Sequence, residues 1–218
     1  MILVTHPRSG SEWFLDCLST EYHKWELFSG WNWRVGGPTR LKFPEISVKA
    51  KLTMLKSLPS TRTHKIHLWA LEKATSGSEG DAAHEVIEHL KTRDDVYLLR
   101  RKNTQLAIVS LFMGMRNDYN YHRLNDDLVK PFGITREEVQ RWKHHMYDVF
   151  NEGPQLNYRE TFWYEDLLAD QEPSTFEFDR TKSTRQIRNS AGRLDLLSNA
   201  AQVKEWMTEL EVPGSLQA

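Results

Sequence analysis

The chain has 218 residues, enough for one substantial domain and too few for two comfortable ones. An apolar share of 39% beside 27% charged residues is that of a folded globular protein, not a disordered one. The 29 Lys and Arg against 30 Asp and Glu leave a net charge of -1, which excludes a protein living by non-specific attraction to nucleic acid. Any anion bound here must be held by a local cluster of donors.

Ile2-Leu3-Val4-Thr5 is a short apolar, β-branched run that predicts a strand. It stops at Pro7 and Gly10, and a helical pattern follows from Ser11 to about Thr20, with Pro7-Arg8-Ser9-Gly10-Ser11 as the tight loop between them. The single cysteine, Cys17, falls in that helix and reads as a buried structural thiol. Alone, it excludes a disulfide framework and a cysteine-cluster metal site, and it suits a reducing compartment. From Trp25 to Thr63 the pattern is less regular, with turn signals at Gly36-Gly37-Pro38 and Leu58-Pro59-Ser60. Lys65-Ile66-His67-Leu68 reads as another short strand end. An amphipathic segment from Asp81 to Lys91 precedes the apolar run Asp95 to Arg100, and a helix is expected from Asn103 to Met115.

Thr135-Arg136-Glu137-Glu138 has a capping-box pattern and opens a long amphipathic helix spanning Ile134 to Asn151. Thr161 to Glu165 predicts a strand, and Asn199 to Leu210 a terminal helix. This strand–helix–strand alternation implies parallel crossovers: a three-layer α/β fold, its parallel sheet flanked by helices, in one domain over residues 1–218. No run approaches the ~20 apolar residues of a membrane span. Met1 to Val4 runs into Thr5-His6-Pro7-Arg8 without the basic start and apolar core of a secretory signal, so the expected location is cytoplasmic.

The loop after the first strand is the strongest local signal. A strand ending in a glycine-containing turn that opens a helix aims backbone N–H groups and the helix dipole at one point, and Arg8, Ser9 and Ser11 add side-chain donors. It lacks the G-x-x-x-x-G-K-[ST] spacing of an ATP-binding loop, which argues against a kinase. A second segment, Tyr97 to Ser110, puts Arg100, Arg101 and Lys102 at a strand end and Ser110 about two helical turns beyond Asn103. Cations and hydroxyl can thus share one further phosphate.

Together these segments resemble the sulfotransferases that use 3′-phosphoadenosine 5′-phosphosulfate. The opening loop is similar to their phosphosulfate-binding pattern Pro-Lys/Arg-Ser-Gly-Thr-Thr-Trp: Pro7, Arg8, Ser9, Gly10 and Trp13 fall in place, with Ser11 for the first Thr. Tyr97 to Ser110 resembles the 3′-phosphate motif, an Arg at a strand end and a Ser about eight residues later. Tyr164-Glu165-Asp166-Leu167 looks like the family's Tyr-Glu-Asp-Leu element, and Ile187 to Met207 loosely resembles the tail of bacterial members. The matches run in the family's order over most of the chain, closer to bacterial or viral members than to animal cytosolic ones.

The resemblance implies a P-loop-kinase-like core and transfer of a sulfuryl group to an acceptor hydroxyl or amine on a small molecule, glycan or lipid, releasing 3′,5′-ADP without a metal. It points to Lys65-Ile66-His67, similar to the family's Lys-Thr-His, with His67 as general base and His64 as its closest rival among nine histidines. His84 and His89 miss the zincin spacing. Arg8 and Lys65 are implied in catalysis. Arg8, Ser9, Gly10, Ser11, Glu12, Trp13, Ser110 and Tyr164 are implied in donor binding, with Arg101 or Lys102 as the 3′-phosphate cation.

Trp13 is implied to stack on adenine, and Trp25, Trp31, Trp33 and Trp69 to wall an apolar or ring-shaped acceptor site. The chain departs from the pattern in three ways. Glu12 replaces the second Thr, where a carboxylate repels the ligand unless turned away. Arg101 lies nine residues before Ser110, while Lys102 holds the usual eight. The glycine-rich Arg-Lys-Gly element is missing, leaving Lys182, Arg185 and Arg188 as substitutes. Two rival readings remain: a nucleotide-kinase-like phosphotransferase on the same core, and a nucleotide-binding protein without turnover.

Overall fold

The computed structural model describes residues 1–18, 22–26, 47–57, 63–70, 80–117, 130–152, 154–169, 171, 173–183 and 194–216. Five strands form one sheet: β1 (Ile2–Thr5), β2 (Tyr22–Glu26), β3 (Thr63–His67), β4 (Val96–Arg100) and β5 (Glu160–Trp163). Their spatial order is β2-β3-β1-β4-β5, and every neighbouring pair is parallel, with β2 joined at the edge through a broken register. The described helices include α1 (Ser11–Asp16), α2 (Val48–Ser57), α3 (Gly80–Lys91), α4 (Thr104–Arg116), α5 (Arg136–Lys143), α6 (Val149–Glu152), α7 (Tyr164–Leu168) and α8 (Ala200–Glu209). Among the described residues, no helix is long and apolar enough to cross a membrane.

Both sheet faces are covered, which is why β1 and β4 are nearly continuous apolar runs rather than alternating ones. On one face Ile2, Val4, Ile66, Val96 and Leu98 pack against Val48, Leu52 and Leu55 of α2 and Val86 and Leu90 of α3. On the other, Leu3, Tyr97, Leu99 and Phe162 meet Trp13 and Phe14 of α1 and Phe178. Each large side chain so buried contributes about 1.5–3 kcal/mol. A third cluster joins Ile108 and Phe112 of α4, Val139 of α5, and Val203 and Met207 of α8.

The exception to this apolar rule is β3, whose residues Thr-His-Lys-Ile-His are all buried. The register pairs Leu3 with Lys65 and Thr5 with His67, so both polar side chains lie on the α1 face of the central sheet. Buried polar groups need hydrogen-bond or charge partners, which makes this strand a candidate part of a site.

Strand order supplies the place. The chain leaves β1 toward β2 on one side and leaves β4 toward β5 on the other, so the loops after β1 and β4 diverge from adjacent strand ends. That crevice at the carboxyl ends is where open α/β sheets bind ligands.

Several elements depart from the sequence expectation. Helix α1 stops at Asp16, short of Thr20, because the Asp179 N–H bonds to the Cys17 carbonyl and Leu18 bridges Phe178. Cys17 is buried, and that burial raises its thiol pKa to about 11. The stretch from Trp25 to Thr63, read as irregular, holds the end of β2 and the whole of α2. Thr135 and Glu138 form both bonds of the capping box, at 2.9 and 3.2 Å. The helix they open passes through a π turn (His144–Asp148) before α6. The last strand ends at Trp163, and Tyr164 starts α7.

Candidate functional site

The loop between β1 and α1 is folded on itself by its hydroxyls. Thr5 Oγ1 donates to the Leu99 carbonyl at 2.9 Å, which leaves the Ser9 hydroxyl, fully buried, to donate back to Thr5 Oγ1. Arg8 and Gly10 both adopt left-handed backbone, at φ of 63° and 81°. For Arg8 that conformation costs roughly 1–2 kcal/mol. Gly10 is favoured for a second reason: a Cβ there falls 2.2 Å from Cδ2 of Tyr164, whose ring packs against the turn.

The loop after β1 and the segment Tyr97 to Ser110 meet here. Arg8 Nε donates to Ser110 Oγ of α4 at 3.0 Å, although 102 residues separate them. Arg101 follows β4, and its Nη1 donates to the Arg8 carbonyl at 3.5 Å. Its guanidinium lies 5.2 Å over the Tyr164 ring, and its Nε stands 3.5 Å from Glu165. Burial pulls the Arg101 pKa down, while Tyr164 and Glu165 pull it back up. Lys102 turns the other way, half-exposed, with its ammonium on Asp166.

The Tyr164–Leu167 element explains itself at this point. Tyr164 seals Gly10, and burial pushes its phenol pKa up. Glu165 accepts the Lys102 and Asn103 N–H groups at 2.8 and 3.1 Å, holding the turn that opens α4. Asp166 takes Lys102, and Leu167 enters the core.

On the other side of β1, Lys65 reaches the first turn of α1, where Nζ stands 4.0 Å from Glu12 Oε1. His67, at the end of β3, is buried beside Thr5. Ser11 is buried at the start of α1. Arg8, Lys65, His67, Arg101 and Ser110 thus gather around the carboxyl ends of β1, β3 and β4, with Glu12 and Tyr164 at the margin.

Trp13 is buried, edge-on to Tyr164 and Phe178 at 5.8 and 5.6 Å, packed beneath the loop. Lys182 lies in the turn beside the far end of α1, where Ser183 donates to Asp16 at 3.5 Å. Arg185, Arg188, Trp31, Trp33 and the side chain of Trp25 lie outside the described residues. Trp69, just past His67, packs with Trp142 and His145 at centroid distances of 5.9 and 5.2 Å. Among the described residues, no group of three or more His, Cys, Asp or Glu could hold a metal ion.

Comparison of the chain with protein-family models, curated proteins and solved structures returns no match.

The sequence reading passed over His6, Glu165 and Asp166 as site residues. His6 is fully buried between the two loops. Its Nδ1 donates to the Pro7 carbonyl at 2.8 Å and its Nε2 accepts the Arg101 N–H at 3.3 Å. Its place at a strand end before Pro7 was visible in the sequence; its partner, 95 residues away, was not.

Proposed function

We propose that this chain is a sulfotransferase. It moves a sulfuryl group from 3′-phosphoadenosine 5′-phosphosulfate to an acceptor hydroxyl or amine, on a P-loop-kinase-like core. The observation that carries the reading is the 3.0 Å bond from Arg8 to Ser110. Two segments that each resemble one half of the donor-binding machinery converge in space, at the crevice where such a sheet takes ligands.

In this reading the donor lies across the crevice, its 5′ end at the Arg8 loop and its 3′-phosphate at Arg101 and Ser110. Arg101 is favoured over Lys102 because it is turned into the loop while Lys102 is engaged by Asp166. His67 takes the acceptor proton as the acceptor oxygen or nitrogen forms its bond to sulfur. The bond from sulfur to the 5′-phosphate oxygen breaks in line, and Arg8 and Lys65 offset the charge left on that oxygen. The product is 3′,5′-ADP. Trp69, Trp142 and His145, beyond His67, suit an apolar or ring-shaped acceptor.

Calorimetric titration tests the donor, and a transfer assay over a panel of hydroxyl acceptors tests the chemistry. The expected results are binding of 3′,5′-ADP in preference to ATP, lost in Arg101→Ala and kept in Lys102→Ala. His67→Ala lowers transfer by about 10²–10⁴ while 3′,5′-ADP binding persists. Tight ATP binding indifferent to a 3′-phosphate points to the phosphotransferase reading. Donor binding without transfer to any acceptor points to a nucleotide-binding protein.

A further inference from the structure

His6 is not part of the proposed chemistry, yet it lies buried between the two loops that flank the crevice. It follows β1 directly, and its ring spans from the loop after β1 to the first residue after β4. A carbonyl can only accept, so Nδ1, 2.8 Å from the Pro7 oxygen, carries the proton. Nε2 is then a bare lone pair, and the Arg101 N–H points at it. The neutral ring therefore satisfies both partners at once, and an imidazolium could not accept the second bond. Phe150 meets the ring edge-on at 5.9 Å and closes that side. Arg100, Arg101 and His67 all face it, and each opposes its protonation; with burial as the dominant cause, its pKa is lowered to about 3.

The backbone bond to His6 fixes where the Arg101 side chain starts. From there the guanidinium reaches the Arg8 carbonyl, the Tyr164 ring and Glu165. We infer that His6 is a positioning residue that sets Arg101 for the 3′-phosphate, so that it governs discrimination between nucleotides with and without that group. This rests on the sulfotransferase reading, in which Arg101 meets the 3′-phosphate.

The test is calorimetric titration of 3′,5′-ADP and 5′-AMP into wild type, His6→Phe, His6→Gln and His6→Asn. Phe keeps the ring and its packing but neither hydrogen bond. Gln places an acceptor near the position of Nε2, whereas Asn reaches only that of Nδ1. The expected result is a preference for 3′,5′-ADP over 5′-AMP that falls by about tenfold in His6→Phe and His6→Asn and is retained in His6→Gln, with 5′-AMP affinity little changed. A general loosening of the fold weakens both nucleotides together and leaves the ratio alone.

A wild type that prefers 3′,5′-ADP, with the full preference kept in His6→Phe, overturns this inference and leaves the proposed function standing. If His6→Phe does not fold, equal ratios in the Gln and Asn variants overturn it. A wild type indifferent to the 3′-phosphate overturns the sulfotransferase reading, and this inference with it.

Discussion

Glu12 stands in the first turn of α1 with its carboxylate 4.0 Å from the Lys65 ammonium. A helix N-terminus favours an acidic side chain, so the placement is good for α1. For the proposed anionic donor it is adverse, because the carboxylate competes for Lys65 and would repel the donor's 5′ end. Glu12→Gln keeps the size and removes the charge. Its expected effect is a three- to tenfold tighter Kd for 3′,5′-ADP at low salt, with the gain shrinking as ionic strength rises (about 10 Å screening length at 0.1 M). Calorimetry at two salt concentrations checks this, and an unchanged or weaker affinity removes Glu12 from the binding surface. At this scale the sequence was legible in identity and not in direction. It offered Arg101 and Lys102 as equals, since spacing along a chain carries no information on which way a side chain turns. What separates them is Asp166 and Glu165, some 64 residues on.

Among the elements, those with a strong apolar period were readable: β1, β4, α3 and α4 fall within a residue or two of expectation. Helix α2 was missed although Val48, Leu52 and Leu55 carry the spacing of one buried helix face; neighbouring turn signals masked it. Strand β3 was read only from Lys65 onward, because Thr63-His64-Lys65 has no apolar pattern. Its burial comes from being central in the sheet, a tertiary fact. The loop between β1 and α1 was the most legible part of the site, since glycine there answers a local demand.

That demand is doubled by α7, whose Tyr164 ring occupies the space of a Gly10 Cβ. Gly10→Ala is expected to cost about 1 kcal/mol from its left-handed backbone and a further 1–3 kcal/mol from overpacking against the ring. In a Tyr164→Ala background only the backbone part should remain. Urea midpoints of the four proteins read the coupling, and strictly additive losses would mean that the ring does not press on the turn.

For the molecule as a whole, the near-zero net charge takes on a positive meaning beside the fold. Arg8, Lys65 and Arg101 gather at three adjacent strand ends, so a balanced chain presents a local cationic site. Burial, with Arg100, His67 and Arg101 adding to it, keeps His6 neutral, and this bears on stability. In the native state His6 titrates at about 3, against about 6.5 for an unfolded histidine. Above pH 6.5 neither state binds its proton, and the stability contribution is pH-independent. Between 6.5 and 3 the unfolded chain takes up a proton that the native state refuses, so stability falls with falling pH. The slope approaches 1.4 kcal/mol per pH unit. Below about 3 the native ring protonates too and the slope ends. His89, whose pKa burial also lowers, adds a loss in the same direction, but it is common to wild type and variant. His6→Gln retains an acceptor for the Arg101 N–H and does not titrate, so it isolates the effect. Urea unfolding of both proteins from pH 7.5 to 4.5 should show wild type losing roughly 2–3 kcal/mol more than His6→Gln, with the difference opening below pH 6.5. Parallel curves would mean that the native ring takes up its proton as readily as the unfolded chain, and that His6 is not held as a neutral tie between the two loops.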